Sequence, residues 1–300
     1  MNETPVSAVI TTHNRKDFLQ KAINSVLGQT YPNIELIVVD DASDDGTKEL
    51  MEKLAEQKGI KYIRIEKEDS RGGNYARNQG ILASTGEYVA FLDDDDEWLK
   101  EKIQKQVAVM DKNPDVGVVS CGRIFEYDLK RRVPQDLSKR MEGDLSQRIW
   151  ERIAFTTSEI LVRRELLIQV GMFDEDLRYW QEYELSIRLC QQAKVALVHE
   201  NLVLYRVIKK DKSRLTNNIN GWLDAVEYIN KKHEKLLNAA SDEIRKKHEL
   251  MIHKDAVLRA ANIGNKKLQK EHLKQVYRLE PTAVNLIKYT FNIYKLSFWK

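Results

Sequence analysis

The sequence has few cysteines and no long hydrophobic run, and both absences narrow what the protein can be. Its two cysteines, Cys121 and Cys190, form neither a disulfide framework nor a metal-ligand spacing, which favours buried side chains in a reducing compartment. No stretch approaches about 18 uninterrupted apolar residues, so no transmembrane helix is predicted. The start, MNETPVSAVI, lacks the basic and apolar regions of a signal peptide, and we therefore expect a cytoplasmic protein.

The charges nearly cancel over the whole chain but are unevenly distributed along it. The 300 residues carry a formal net charge of +3. Residues 217–300 contain 16 Lys and Arg against 9 Asp and Glu, a balance of +7, which leaves −4 for residues 1–216. An acidic front part and a basic tail indicate two parts with different partners.

The front part alternates between strand and helix patterns. Short apolar, β-branched runs alternate with stretches of helical spacing, and this pattern predicts an α/β fold: a mostly parallel, Rossmann-like sheet flanked by helices. The predicted strands are VSAVITT (6–12), IELIVVD (34–40), KYIRIE (61–66) and EYVAFLD (87–93). Ligands of such sheets bind at the carboxyl ends of the strands.

Three polar clusters follow three of these strands directly. They are TTHNR (11–15), DDASDDGT (40–47) and DDDDEW (93–98). Because the carboxyl ends of parallel strands share one edge of the sheet, we expect the clusters to converge on a single crevice. Four adjacent carboxylates repel one another unless a cation screens them, so the aspartate run predicts a charged ligand site.

The rest of the chain is predicted to complete this domain and add a helical one. A helix is expected over 98–114, an irregular loop over 129–150, and further strands and helices up to about residue 207. The pattern after that is helical. We therefore predict a catalytic domain over 1–216, with halves 1–97 and 98–216, and a basic helical extension over 217–300.

The second polar cluster also matches a calcium-binding loop in its spacing. The matching residues are Asp41, Ser43, Asp45, Gly46 and Glu52. A calcium loop of this kind needs a helix on its entering side, whereas IELIVV is a strand pattern. The spacing alone is therefore a weak indication of calcium binding.

Taken together, the clusters fit a nucleotide diphosphate better than calcium alone. A strand-end carboxylate such as Asp41 can accept a hydrogen bond from a base N–H or a ribose hydroxyl. The run from Asp93 to Asp96 can supply oxygen ligands to Mg²⁺ or Mn²⁺, and that cation would stabilise a diphosphate leaving group. Arg77, one turn into its helix, can face the same crevice and meet a phosphate, although taken alone it fits an ordinary surface residue of a helix better.

Five segments in order resemble family 2 glycosyltransferases of the GT-A fold. They are SAVITTHNR, VVDDASDDGT, GGNYARNQG, GEYVAFLDDDDEW and VGMFDEDL…WQEYELSIRL, and they cover roughly residues 5–207. The resemblance implies inverting transfer of a sugar from a nucleotide diphosphate to an acceptor hydroxyl. We accordingly expect a nucleotide-diphosphosugar donor, with a UDP-sugar favoured, and a glycan or lipid-linked acceptor in cell-surface polysaccharide synthesis.

The resemblance also assigns roles to individual residues. Asp95 is implied as the direct ligand of Mn²⁺ or Mg²⁺, within the family's D-x-D motif. The residues implied to bind the nucleotide-sugar are Thr11, His13, Arg15, Asp41, Arg77, Asp93 and Asp94. His13 stands where the family often has Tyr, which changes the hydrogen bonding available to a stacked base.

The family's general base is usually an Asp in an ED or QD pair, and the matching pair here is Gln181-Glu182. The resemblance implies that Glu182 is the catalytic base, one methylene longer than usual. The alternatives are that Glu182 only stabilises the start of its helix, or that Glu184 is the base. Trp180 and Gln181 are weak candidates for contact with a sugar, and Trp180 fits a packing role equally well.

The segment LYRVIKKDKSRLT (204–216) resembles the family's closing segment but lacks a His found there in some members. Lys209, Lys210 and Arg214 are weak candidates for folding over a bound diphosphate. In the tail, NLIKYTFNIYKLSFWK is typical either of a peripheral segment at the inner membrane face or of a helix packed on protein. No nucleic-acid motif is present, and homo-oligomer formation is left open.

Two other functions remain open from the sequence alone. The substituted base is compatible with a non-catalytic homologue that binds nucleotide-sugars. A sugar nucleotidyltransferase would also use acidic metal ligands on an α/β sheet, but it should carry a Gly-rich, basic phosphate loop after the first strand. TTHNRKD supplies no such loop.

Overall fold

The computed structural model describes residues 3–208 and 218–294. The chain divides into two compact units, one formed by Met1–Ser146 with Ala154–Lys210, the other by Gln147–Ile153 with Asp211–Lys300. The domain boundary predicted after residue 216 places 147–153 in the catalytic part. That segment belongs to the second unit because Trp150 packs edge-on against His248, with ring centroids 5.2 Å apart.

The first unit is built on one sheet. Its strands are β1 (Val6–Thr12), β2 (Ile34–Asp41), β3 (Lys61–Ile65), β4 (Tyr88–Asp93), β5 (Glu97–Trp98), β6 (Val116–Tyr127), β7 (Arg131–Pro134), β8 (Leu161–Arg163) and β9 (Lys194–Val207). Their spatial order is β3-β2-β1-β4-β8-β6-β9-β5, with β7 paired to β6.

The pairing directions decide which strand ends meet. The first four strands are parallel to one another. The short strand β8 pairs antiparallel with both β4 and β6, and β9 pairs parallel with β6. Strands β6 and β9 therefore run in the same direction as β4, and their carboxyl ends lie along the edge where α/β sheets bind ligands.

Helices cover this sheet. They are α1 (Lys16–Leu27), α2 (Thr47–Lys58), α3 (Gly73–Ala83), α4 (Lys102–Lys112), α5 (Arg164–Gln169) and α6 (Gln181–Cys190). In α1 the residues Leu19, Ala22, Ile23 and Val26, at helical spacing, are buried, whereas Leu27, which belongs to the same pattern, is 45% exposed. In α3, Gly80 lies directly against Val9 of β1. A Cβ at this position would fall 2.3 Å from the Val9 side chain, so a larger residue would not fit without a shift.

Two local predictions are wrong. The helix expected from Trp98 begins only at Lys102, because Glu97 and Trp98 pair with β9 as strand β5. The loop expected over 129–150 contains a strand, β7, which forms a hairpin with β6. Both strands are too short to show a periodic pattern of their own.

The second unit is helical, as predicted. Its helices are α7 (Ile219–Lys232), α8 (Glu234–Ala239), α9 (Asp242–Asn262), α10 (Lys266–Leu279) and α11 (Ala283–Phe291). The fully buried Trp222 of α7 packs under the Arg259 guanidinium of α9, 4.7 Å from the ring centroid. Within the described part of the chain, every helix is too short or too polar to cross a bilayer.

Candidate active site

The three polar clusters meet at one edge of the sheet, as the sequence predicts. In register, Thr11 lies opposite Asp93, and Thr12 lies opposite Asp40. The hydroxyl of Thr12 donates a hydrogen bond to Asp94, with Oγ1 and Oδ2 2.8 Å apart. The partly exposed Thr11 lies beside these residues at the end of β1. The carboxyl ends of β1, β2 and β4 thus form a single acidic crevice.

The aspartate run forms a turn in which exposed and buried carboxylates alternate. The backbone N–H of Asp96 donates to the carbonyl of Asp93 at 3.0 Å, which closes the turn. The side chains of Asp93 and Asp95 are 32% and 22% exposed, whereas that of Asp94 is 7% exposed and Asp96 is buried. Asp93 and Asp95 are therefore the more accessible members of the run.

Two arginines neutralise part of this charge. Arg15 lies between Asp94 and Asp95, with Nη1 3.3 Å and 3.0 Å from their carboxylate oxygens. Arg77 donates to Asp93 at 2.7 Å and stacks on the ring of Phe173. Both arginines lie in the crevice, where a bound diphosphate would meet their guanidinium groups.

The buried members of the run have raised pKa values. Burial raises the pKa of Asp94 to about 7; the charge of Arg15 opposes the rise and that of Asp95 adds to it. Burial also raises the pKa of Asp96 well above its ordinary value. Asp96 accepts hydrogen bonds from the Ser158 hydroxyl at 2.7 Å and from the Arg206 backbone N–H at 3.2 Å, so it anchors the turn.

Arg206 is a structural residue of the site that the sequence analysis did not identify. Its buried guanidinium donates to the backbone carbonyl of Asp95 at 3.1 Å and pairs with Glu97 and Glu126. It therefore fixes the backbone that presents Asp95. The Arg in LYRV was visible in the sequence, but its partners are about a hundred residues away along the chain.

Asp41 and His13, which the sequence analysis predicts to bind the nucleotide-sugar, lie in contact with each other. Asp41 is buried, and its Oδ1 atom has no hydrogen-bond partner among the described residues. A buried, unpaired carboxylate oxygen calls for a donor from a ligand. The exposed ring of His13 contacts the backbone carbonyl of Asp41 through Nδ1.

The calcium-loop alternative does not fit this geometry. The segment is entered from the buried strand β2, not from a helix. Asp45, at one of the would-be ligand positions, instead accepts hydrogen bonds from the backbone N–H groups of Lys16 and Thr47. Asp40, which precedes the would-be calcium loop, pairs with other residues of the sheet, with Tyr62 and Arg64 both 2.8 Å from its Oδ2.

Glu182 lies in the first turn of α6, next to the acidic crevice. Burial raises the pKa of its carboxyl; the Asp93 charge adds to this, and Arg77 and Arg123 oppose it. A raised pKa makes the ionised carboxylate of Glu182 a stronger base than an ordinary glutamate. The N-cap residue of α6 is Trp180, whose left-handed backbone (φ 55°, ψ 31°) turns the chain into the helix.

The neighbours of Glu182 have other contacts. Glu184 is fully buried and paired with Arg188 at 2.6 Å, and Arg188 also donates to the carbonyls of Val170 and Met172. This geometry disfavours Glu184 as the base. Trp180 is 6% exposed and packs edge-on against Tyr183, which favours its packing interpretation, and Gln181 donates to the Arg178 carbonyl.

Two asparagines that the sequence analysis did not single out hold the loop before α6. Asn74 donates to the carbonyls of Asp174 and Leu177 at 2.6 and 2.8 Å. Asn78 donates to the Phe173 carbonyl and accepts from its N–H, each at 2.9 Å. Two sequence segments of the family resemblance, GGNYARNQG and VGMFDEDL, are thus bonded to each other. Lys209, Lys210 and Arg214 lie outside the described residues.

The carboxylates fit a hard divalent cation only when a ligand completes the coordination. Within residues 3–208 and 218–294, no group of three or more His, Cys, Asp or Glu side chains is placed to hold a metal ion. Mg²⁺ and Mn²⁺ are commonly bound by one or two carboxylates together with substrate phosphates. Asp95, with Asp93 nearby, matches that donor set, and the carboxylates around the crevice outnumber Arg15 and Arg77.

Comparisons with known proteins identify the family of this chain. The sequence model described as "Glycosyl transferase family 2" matches residues 7–171. TuaG of Bacillus subtilis, a glycosyltransferase assigned by name to teichuronic acid biosynthesis, is 40% identical over 113 residues, 36% of this chain and 43% of that protein. A Nostoc glycosyltransferase is 33% identical over 213 residues, 67% of this chain and 64% of that protein. This chain thus spans less than two thirds of either relative.

Solved structures show the same fold at low sequence identity. Residues 1–349 of Staphylococcus aureus TarS, in complex with UDP-GlcNAc, align with a TM-score of 0.68 at 18% identity, over 97% of this chain and 89% of TarS 1–349. The mannosyltransferase PcManGT of Pyrobaculum calidifontis, with GDP-Man and Mn²⁺, gives 0.60 at 18% identity, over 98% and 85%. The predicted GT-A fold is confirmed. The chain belongs to glycosyl transferase family 2.

Proposed function

We propose that the protein is a metal-dependent, inverting glycosyltransferase. It would transfer a sugar from a UDP-sugar to a hydroxyl of a glycan or lipid-linked acceptor in cell-surface polysaccharide synthesis. The observation that carries the proposal is the joint placement of Asp41, Asp95 and Glu182. Asp41 offers a hydrogen-bond acceptor for a nucleoside, Asp95 offers a carboxylate for a cation, and Glu182 is the candidate base. All three line one crevice.

In this mechanism Glu182 removes the proton from the acceptor hydroxyl as its oxygen attacks the anomeric carbon. The new C–O bond forms as the bond to the diphosphate oxygen breaks on the opposite face, so the configuration inverts. The nucleoside diphosphate leaves with the bonding electrons. Arg15 and Arg77 stabilise its charge. A cation held by Asp95 would add Lewis-acid stabilisation of the same leaving group.

The donor is tested by measuring which nucleotide stabilises the protein. We expect UDP and UDP-sugars to raise the melting temperature more than GDP-, dTDP- and CMP-sugars. Asp41→Ala removes the carboxylate oxygen that would accept a hydrogen bond from the nucleoside. This should weaken UDP binding about 10- to 100-fold, the usual loss for a hydrogen bond to a charged group. Asp44→Ala removes an exposed carboxylate from the same loop and is the control. Equal binding by both variants would contradict the role of Asp41.

Slow release of nucleoside diphosphate from the stabilising sugar nucleotide is the second expected result. Release of pyrophosphate during incubation with a sugar phosphate and nucleoside triphosphate would instead indicate a nucleotidyltransferase. Tight nucleotide binding with no turnover on any extracted glycan or lipid acceptor would indicate a binding homologue.

We further propose that α11 attaches the protein to an anionic membrane surface. The helix buries Asn285 and exposes its apolar side chains, the reverse of an ordinary surface helix. The exposed side chains are Val284 (50%), Leu286 (43%), Ile287 (42%), Phe291 (68%) and, just beyond it, Ile293 (36%). Residues 265–300 carry eight Lys and Arg against two Asp and Glu, which matches anionic lipid headgroups.

Vesicle sedimentation tests this attachment. We expect binding to mixed phosphatidylglycerol and phosphatidylcholine vesicles and weak binding to phosphatidylcholine alone. The double variant Leu286→Glu and Phe291→Glu should lose at least about tenfold in affinity, since burial of each side chain is worth roughly 1.5–3 kcal/mol. Leu82→Glu, at an exposed leucine of α3, is the control. A stable dimer that the double variant abolishes, with no vesicle binding, would identify a second copy as the partner instead.

A further inference from the structure

A strip of aromatic and basic side chains lies on one face of β6 and β9. Arg123, Phe125 and Tyr127 alternate along β6 and so share a face, and Tyr205 of β9 is in register with Phe125. The Phe125 ring lies 6.2 Å from that of Tyr127, nearly parallel to it, and 5.9 Å from that of Tyr205. All four side chains are partly exposed. We call these four residues the β6–β9 strip.

The strip lies at the ligand-binding edge of the sheet. Strands β6 and β9 run in the same direction as β4, so the strip occupies carboxyl-terminal halves of strands, as the aspartate turn does. Arg123 is near enough to Glu182 for its charge to act on that carboxyl group. The candidate base therefore has the donor residues Asp93 and Arg77 as neighbours together with the start of the strip.

Three arginines lie on or beside the strip, and the exposed carboxylate of Asp128 follows its last β6 residue, Tyr127. Arg123 lies 3.4 Å from the buried carboxylate of Glu159, and Arg140 lies 3.0 Å from the same group. Two guanidinium groups thus share a single carboxylate. Arg131, exposed on β7, is paired in register with Tyr127 and adds a further positive charge on this face. An anion is the ligand that this distribution favours.

Arg123 and the aromatic rings beside it form a surface suited to a sugar. Its guanidinium lies over Phe125 and Tyr205, 5.0 and 4.8 Å from the ring centroids. The planes of these two rings make an angle of 78°, and the guanidinium beside them makes the surface amphipathic. The C–H face of a sugar ring can pack on aromatic rings while an acidic substituent meets a guanidinium group.

We propose that the β6–β9 strip binds the acceptor and that the acceptor is an anionic glycan, bearing carboxylate or phosphodiester groups. This inference rests on the proposed function, since an acceptor bound on the strip would present its hydroxyl to Glu182. It narrows the acceptor from any glycan to a negatively charged one. Carboxylate and phosphodiester groups share the chemistry that Arg123 and Arg131 recognise.

Affinity electrophoresis in gels that contain a polymer tests the proposal directly. The probes are oligogalacturonate, oligo(glycerol phosphate) and neutral maltoheptaose, and the variants are Phe125→Leu, Tyr205→Leu and Arg123→Gln. Leucine keeps apolar bulk but removes the flat ring. Arg132→Gln, in the same hairpin but paired with Glu126 on the opposite face, and Tyr228→Leu in the second unit are the controls.

We expect the wild type to be retarded by one or both anionic probes and not by maltoheptaose, and the responding probe identifies the acidic group. Each strip variant should weaken that affinity at least fivefold, and the controls should stay within twofold. Preference for the neutral probe, or equal loss in the controls, would overturn the inference. Donor affinity is measured on the same proteins by thermal shift. If the wild type binds UDP-sugar but the strip variants keep full affinity for the anionic probe, only the inference about the acceptor is wrong. If the wild type does not bind UDP-sugar, the proposed function is wrong as well.

Discussion

Glu182→Gln is expected to slow sugar transfer about a thousandfold or more, within the range of roughly 10² to 10⁴ for loss of a general base. Glutamine keeps the size of the side chain but cannot take the acceptor proton. Because the donor is held by other residues, its dissociation constant should change less than about threefold. Stopped assays of product formation, with donor binding measured in parallel, separate the two effects.

The pH profile gives an independent check on the same residue. Burial raises the pKa of Glu182, so its basic form is lost at a higher pH than for an ordinary glutamate. The wild-type rate should therefore fall on acidification through that raised pKa, and Glu182→Asp, which keeps a carboxylate, should retain measurable turnover. Asp176→Asn neutralises an exposed carboxylate of the preceding loop and serves as control. Full activity in Glu182→Gln would exclude this residue as the base.

Removal of the divalent cation is expected to have the next largest effect. A chelator should lower the wild-type rate by roughly 10²- to 10³-fold, since Lewis-acid stabilisation of a leaving group is worth several kcal/mol. Asp95→Asn should reach a similarly low rate and should no longer respond to added Mn²⁺ or Mg²⁺.

Nucleotide binding provides a second measurement that does not depend on turnover. UDP affinity of the wild type should fall when the chelator is added, whereas that of Asp95→Asn should be insensitive to it. Asp69→Asn, at an exposed acidic residue outside the crevice, is the control. If the chelator changes neither rate nor affinity, Arg15 and Arg77 are sufficient to neutralise the diphosphate, and the metal proposal is wrong.

The convergence of the polar clusters could be predicted because it follows from a local pattern. Buried parallel strands fix the direction of the chain, and direction fixes which ends meet. Thr12, Asp41 and Asp93 need no further information to be placed together. The same logic gave the fold class and the helical nature of the second unit.

The contacts that make the crevice rigid could not be predicted in this way. Asp96 is satisfied by Ser158 and Arg206, residues 62 and 110 positions away, and no spacing rule connects them. The asparagines of α3 meet the loop before α6 across about a hundred residues. The β5 pairing that delays α4 is equally non-local, because a two-residue strand exists only through its partner.

Because burial alternates along the aspartate turn, the site depends on the exact position of each aspartate within the motif. All four residues are aspartates, so the role of each carboxylate follows from its odd or even position in the run and not from its chemical identity. Deletion of one aspartate would leave DDD, which a pattern search still accepts. It would also shift Glu97 into the anchoring position of Asp96, beside Ser158. A homologue could thus keep the signature and lose the ability to bind a cation.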